Sequence, residues 1–294
     1  MIFGIIFFVI ACAGAGLIHY FTGLYQNPVW LWVPILVAIG IYWLLFFIAI
    51  AVIGGMAEVW KRSKKPDHPR KFYLWLLRQM CVQACLFLRC RVHATGLGKL
   101  PEKEPFMLVS NHLSVFDHIC LIPALGKYPF IAVSKTRNFE LFFAGGLLKK
   151  CGFLPIVQND IAQGVKVIEQ CGQYLADGKI SVAIAPEGTR NKDFPNPLIL
   201  PFHPGSFQMA YASKRPIAVF AIQNTNAIVY RFPLHATHIY LDCVGVIEYE
   251  EYKDMSQKEL ADYTRSLIER RLTNKEARFY HAGMKKKEDV KEEK

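Results

Sequence analysis

Two long apolar stretches, 2–18 and 29–53, open the chain, and no Asp, Glu, Lys or Arg occurs before Glu58. A helix rises about 1.5 Å per residue, so roughly 20 residues cross about 30 Å of hydrocarbon. The second stretch exceeds that length and the first approaches it. A buried hairpin in a water-soluble core would need polar residues along one face of at least one helix, and neither stretch has such a face. The pattern therefore predicts one or two N-terminal transmembrane helices within 1–57, with Trp30 and Trp32 at the connecting loop as interfacial anchors. A cleaved leader is the alternative for the first stretch, since AGA at 13–15 resembles a small-residue cleavage site. Against it, no basic residue precedes the apolar run.

The first basic cluster is KRSKK at 61–65, followed by Arg70 and Lys71, whereas the loop between the apolar stretches has no Lys or Arg. The positive-inside tendency then places everything after Trp60 on the cytoplasmic side. Residues 71–92, KFYLWLLRQMCVQACLFLRCRV, have a helical pattern with Arg78, Gln79, Gln83 and Arg89 interrupting a broad apolar surface. Either a helix along the membrane interface or a helix packed on the following domain fits it. The segment 58–94 is thus a basic juxtamembrane region with an interfacial helix.

From about Thr95 the period changes. PFMLVS (105–110), PFIAVSK (129–135), FLPIV (153–157), ISVAIAP (180–186) and PIAVFAI (216–222) are short apolar runs that predict buried strands. Between the third and fourth, Ile161, Val165, Ile168, Cys171 and Leu175 recur at helical spacing, entered at Asp160 and left through Gly178. HIYLDCVGVIEYE is a further strand, and the run from Ser256 to Tyr280 a terminal helix with Ser256 and Glu259 spaced as a capping box. The alternation predicts an α/β domain over 95–283, its central sheet mostly parallel and flanked by helices. The charge run 284–294 is expected to be a disordered tail.

Composition refines this picture in three ways. A hydrophobic fraction of 52% and an aromatic fraction of 13% exclude a disordered chain. The net charge of +11 is concentrated partly beside the apolar spans, where anionic headgroups explain it more simply than nucleic acid, and no interleaved basic and aromatic motif for nucleic acid is present. The eight cysteines include no CxxC pair and fit buried small apolar residues rather than a disulfide framework.

Two polar loops carry candidate chemistry. NHLSVFDH, 111–118, follows a strand, so Asn111, His112, Ser114 and Asp117 would sit where a loop leaves the sheet edge. On a regular helix five residues turn through about 500°, so His112 and Asp117 meet only if His112 lies in the turn before the helix. Asp117 could then hold one imidazole nitrogen and leave the other as a base, although a merely structural contact fits the spacing as well. APEGTRNK, 185–192, also follows a strand, and its Glu187, Gly188, Thr189 and Arg190 suit either a polar-ligand loop or an ordinary β-turn.

Together, an NHx4D after the first strand, an EGTR about 75 residues downstream and an N-terminal apolar region resemble the glycerolipid acyltransferases, which include the 1-acylglycerol-3-phosphate O-acyltransferases. The resemblance runs from about Thr95 to Thr225. It implies that His112 deprotonates an acceptor hydroxyl and that Asp117 orients the imidazole. The hydroxyl attacks the thioester of acyl-CoA or of an acylated carrier protein, with no acyl-enzyme, and phosphatidic acid is the product. It also implies that Glu187, Gly188, Thr189 and Arg190 contact the acceptor, with Asn111, Ser114 and Lys135 as further substrate-binding residues. A metal or cofactor is not implied; the partners are a lysolipid, the acyl donor and an anionic bilayer, and the protein is integral to the membrane with its catalytic domain on the cytoplasmic face.

Two positions depart from the family's pattern. In GFLPIVQ (152–158) Gln158 stands where the second motif ends in arginine, and in PFHPGSF His203 stands where the fourth motif often has lysine. Each removes a fixed positive charge expected near a phosphate, and Lys135 and Arg137 are the cations available to compensate. A lysolipid without a free phosphate monoester is therefore the alternative acceptor, and a non-catalytic lipid-binding protein on the same fold is the rival from another class. His118, beside Asp117, is a substitute base or a structural neighbour. His235 and His238, three apart in a predicted strand, lack a third ligand for a metal.

Overall fold

The computed structural model describes residues 2–23, 26, 30, 32–62, 69–142 and 144–274. They divide into two compact units, 1–83 with 134–158, and 84–133 with 159 onward.

The first unit contains α1 (Ile2–Phe21) and α2 (Val33–Arg62), joined through residues that include Trp30 and Trp32. At 20 and 30 residues, both helices are long and apolar enough to cross a membrane. Their outward surface is apolar: Phe8 is 63% exposed and Ile35 62%. They pack on each other, the Phe7 and Tyr42 rings meeting edge-on at 6.2 Å. α3 (Lys71–Phe87) begins in this unit, where Tyr42 Oη donates to the buried Gln83 Oε1 at 2.6 Å. The C-terminal end of α2 is tied down by lysines. Lys61 pairs with Glu58 at 2.6 Å, and Lys149 Nζ donates to the Lys61 carbonyl at 2.6 Å, satisfying an oxygen that a helix end leaves open. Lys149 lies on α5 (Gly145–Cys151), whose first residue has to be glycine because a Cβ there would come within 2.0 Å of the Phe139 carbonyl oxygen. The basic residues 63–65 and the tail 284–294 lie outside the described residues.

The second unit is built on a mixed, mostly parallel sheet. Its strands are β1 (Cys90–Thr95), β2 (Met107–Ser110), β3 (Phe130–Lys135), β5 (Ser181–Ile184), β6 (Ile217–Gln223) and β7 (Thr237–Ile247), while β4 (Leu154–Ile156) belongs to the first unit. Across this unit the order is β1-β7-β6-β2-β5-β3, and only β6 with β7 is antiparallel. The central strands β2, β5 and β6 are buried on both faces, which accounts for their unbroken apolar runs. Helices α4 (Phe116–Ala124), α6 (Ile161–Ala176), α7 (Gln208–Ser213) and α10 (Gln257–Thr273) flank it, with the single turns α8 (Ile228–Arg231) and α9 (Tyr249–Tyr252).

Local signals explain several ends. Asp160 caps α6 by accepting from Gln163 N at 2.9 Å, and Gly178 leaves the helix region at φ +67°. Ser256 and Glu259 form the expected capping box of α10. Three expectations need correction. The helix expected to reach residue 92 stops at Phe87, because Arg89 turns into the left-handed region at φ 55° and the alternating CRVHAT then pairs in parallel with β7. The strand expected through Glu250 ends at Ile247, where Glu248 caps α9 instead. All eight cysteines are free thiols, but Cys12 is exposed and Cys90 half-buried rather than core residues.

Candidate active site

The parallel register brings three distant loops to one edge. Val109 is aligned with Ile184 of β5 and with Val219 of β6, so all three strands run out toward the same side of the sheet. The segments that follow them carry His112, Glu187 and Thr225. The C-terminal edge of parallel strands is where α/β folds place their sites, because every exiting loop starts there.

His112 lies in the turn before α4, which starts at Phe116, so the imidazole can meet Asp117 in the first helical turn. His112 Nδ1 and Asp117 Oδ2 are 2.7 Å apart. The same carboxylate oxygen accepts from Leu113 N at 2.9 Å and Ser114 N at 3.1 Å, while Oδ1 accepts from Thr225 Oγ1 at 2.5 Å. The Asp117 side chain is 2% exposed, and these four donors replace the water it has lost. With a carboxylate as acceptor the proton of the neutral ring sits on Nδ1, leaving the Nε2 lone pair available. Among the described residues Nε2 has no protein hydrogen-bond partner, and the His112 side chain is 19% exposed.

The EGTR loop holds the histidine from behind. Glu187 Oε1 accepts from the His112 backbone N–H at 2.7 Å and Oε2 from Leu200 N at 3.1 Å. The His112 carbonyl accepts from Asn191 N at 2.8 Å, so one loop grips both polar atoms of this residue's backbone. Glu187 is buried, and burial raises its pKa to about 7, against the lowering effect of the two backbone donors. Gly188 turns at φ +65°, and a Cβ there would meet the His203 ring at 3.1 Å. Thr189 and Arg190 point into solvent next to this turn.

Asn111 faces the other way. Its amide donates to Ile222 O at 3.0 Å and its oxygen accepts from Ile222 N at 2.7 Å, stitching the exit of β2 to β6. Ser114 Oγ accepts from Phe116 N at 3.3 Å at the start of α4. His118 packs near the Phe130 ring, and burial together with the neighbouring His112 charge lowers its pKa to about 4. His238 bonds His93 at 2.9 Å, and among the described residues no group of three or more His, Cys, Asp or Glu could hold a metal. Lys135, at the end of β3, and Gln158 both belong to the first unit. Thr225 and Asn191 are members of the site that sequence reasoning did not single out. Their only signals are a polar QNTN run after a fully buried strand and a place directly after EGTR.

An acyltransferase family profile matches residues 91–223, which takes in every one of these loops except Thr225. A stretch of 145 residues is 30% identical to the 1-acyl-sn-glycerol-3-phosphate acyltransferase alpha of Mus musculus, covering 48% of each chain. A stretch of 164 residues is 26% identical to the 1-acyl-sn-glycerol-3-phosphate acyltransferase of Salmonella typhimurium, covering 56% of this chain and 65% of that one. The match thus spans about half to two thirds of the curated relatives' length. The fold is similar to the crystal structure of the 1-acyl-sn-glycerophosphate acyltransferase PlsC from Thermotoga maritima. The TM-score is 0.60 at 19% identity, over 80% of this chain and 94% of that one.

Proposed function

We propose that this protein is a membrane-bound O-acyltransferase that moves a fatty acyl group from a thioester donor to the hydroxyl of 1-acylglycerol-3-phosphate. The observation that carries this reading is the His112–Asp117 pair, one nitrogen held by a buried carboxylate and the other open, inside an acyltransferase-family domain.

Nε2 of His112 takes the proton of the acceptor hydroxyl as its oxygen attacks the thioester carbonyl carbon. A C–O bond forms, the C–S bond breaks, and the imidazolium returns the proton to the departing thiolate. Asp117 keeps the ring in the tautomer that frees Nε2 and stabilises the imidazolium. General-base help of this kind supplies about 10²–10⁴ in rate. Ser114 shapes the turn, and Asn111 and Glu187 act by positioning. Thr189 and Arg190 line the exposed side where the acceptor's headgroup would be held. The donor is acyl-CoA or an acylated carrier protein, and no metal or other cofactor takes part.

In this reading 1–57 anchors the chain in the bilayer, 58–94 lies along its surface, and 95–283 carries the chemistry on the cytoplasmic face. The lysine and arginine after Trp60 set that orientation. A second acceptor class, lysolipids whose phosphate is a diester, is favoured by Gln158 and His203 at positions where a fixed cation is usual.

The deciding experiment measures acyl transfer by the detergent-purified protein from labelled acyl-CoA, and from acylated carrier protein, to lysophosphatidate, glycerol-3-phosphate, lysophosphatidylcholine and lysophosphatidylglycerol. His112→Ala runs alongside. Transfer to lysophosphatidate that His112→Ala abolishes supports the first reading. Transfer confined to the diesters supports the second, and no transfer from either donor would remove the enzyme.

A further inference from the structure

The segment that follows Thr225 carries a surface the proposed chemistry does not use. In α8 and the turn after it, Val229, Tyr230 and Leu234 are 64%, 85% and 78% exposed. Three large apolar side chains within six positions, all in water, are more than the scattered exposed residues of an ordinary surface.

This protrusion is braced from below. Arg89 Nη1 donates to the carbonyls of Pro233 at 3.0 Å and Leu234 at 3.1 Å. Arg231 Nε donates to Ala236 O at 2.9 Å, and His235 N to Arg231 O at 2.9 Å. The Phe232 ring lies against Phe87 at 5.2 Å, so one aromatic anchors the turn inward while Tyr230 and Leu234 are held outward.

The flank is basic and aromatic. Arg91 and His93 on β1 are aligned with His238 and Tyr240 on β7, and the His93 ring stacks on both His238 and Tyr240. Arg91 is in register with His238, and Arg231 is held at Ala236 two residues before it; partial desolvation and the charges of His93, Arg91 and Arg231 put the His238 pKa below the ordinary imidazole range. Segments 84–94 and 225–241 together hold Arg89, Arg91, Arg231 and three histidines, with no Asp or Glu. An apolar tip bearing a tyrosine, ringed by arginines and free of acid, is the chemistry of an element that enters the headgroup layer of an anionic bilayer.

We propose that 228–235 is a second membrane-docking element, in which Val229, Tyr230 and Leu234 enter the lipid interface and Arg91 and Arg231 meet anionic headgroups. The element begins three residues after Thr225, so its docking would also fix the height of the His112 site above the lipid. That consequence rests on the proposed function; the docking itself does not.

The test is hydrogen–deuterium exchange on the full chain in phosphatidylglycerol nanodiscs, in phosphatidylcholine nanodiscs and in detergent. Amides of 228–236 are expected to exchange several-fold more slowly in the anionic discs than in the neutral ones. Tyr230→Ser/Leu234→Ser and, separately, Arg91→Glu should abolish that difference, with exchange of β2 and β6 unchanged as the check on folding. Equal exchange in the two kinds of disc overturns the proposal. So does protection in detergent that grows with protein concentration, which would assign the surface to a second copy. Neither readout depends on acyl transfer.

Discussion

Thr225 donates its hydroxyl to Asp117 from 108 residues away in the chain, and it does so at Oδ1, the oxygen that does not face His112. The carboxylate is therefore pinned at both oxygens. Oδ2 serves the imidazole and two amides of its own turn, while Oδ1 is anchored to the loop leaving β6.

Thr225→Val keeps the shape and removes the donor. A lost bond to a buried charged group is worth about 1.5–3 kcal/mol. Part of that falls on the orientation of the imidazole, so kcat is expected to drop about ten-fold or more, each factor of ten being about 1.4 kcal/mol. The acceptor KM should stay close to wild type, and Thr225→Ser should recover most of the rate. Steady-state kinetics of the three proteins would decide it.

Glu187→Gln tests the grip on the His112 backbone. Glutamine has one acceptor oxygen for two backbone donors, and its amide N–H2 would oppose the second. The acyl-transfer rate should fall at least ten-fold as the His112 peptide loses its hold, by the same conversion of about 1.4 kcal/mol per factor of ten.

The same residue gives a pH signature. Its pKa is about 7 in the folded protein against an ordinary 4.5, so the folded state binds this proton more tightly than the unfolded chain. The stabilisation is complete below about 4.5 and is lost as pH rises through about 7. Melting curves of the wild type between pH 5 and 8 should therefore fall with pH more steeply than those of Glu187→Gln. Parallel curves would show that Glu187 does not titrate in this window.

Asn111→Ala removes both partners of the Ile222 peptide. Two buried backbone groups left unpaired cost about 2–6 kcal/mol together. A lower melting temperature is expected, with kcat per folded molecule affected much less than in His112→Ala. Denaturation curves, measured beside kcat at a temperature where the variant is fully folded, separate the two effects.

Arg190 and His203 test the proposed acceptor contacts. Arg190 is exposed, so Arg190→Ala should raise KM for lysophosphatidate by about ten-fold or less while leaving kcat nearly unchanged. His203→Lys restores a fixed charge beside the EGTR turn and should shift preference toward lysophosphatidate over lysophosphatidylcholine. Competition between the two acceptors in one assay reads the change directly.

Much of the site's local chemistry was legible in the residues, because its determinants lie close together in sequence. The His112–Asp117 geometry follows from a five-residue spacing that can close only across a helix start. Thr225 escaped notice because its partner comes from another loop, and parallel strand pairing leaves no short-range mark. β1 was absorbed into the preceding helix for the same reason: its six residues become a strand by pairing with β7, whose partners lie 147 residues later. The roles within EGTR were also invisible, since a carboxylate facing a backbone amide and one facing solvent have the same sequence.

The sequence by itself determined the two apolar helices, the α/β alternation, the caps of α6 and α10, and the identity of the histidine and aspartate. These depend on composition, periodicity and contacts within a few residues. Tertiary structure alone decided that β2, β5 and β6 open on one edge. It thereby decided that Glu187 and Asn191 hold the His112 backbone, and that Thr225 completes the hold on Asp117. Those are hydrogen bonds between loops whose meeting depends on strand register, which the buried sheet fixes through long-range packing.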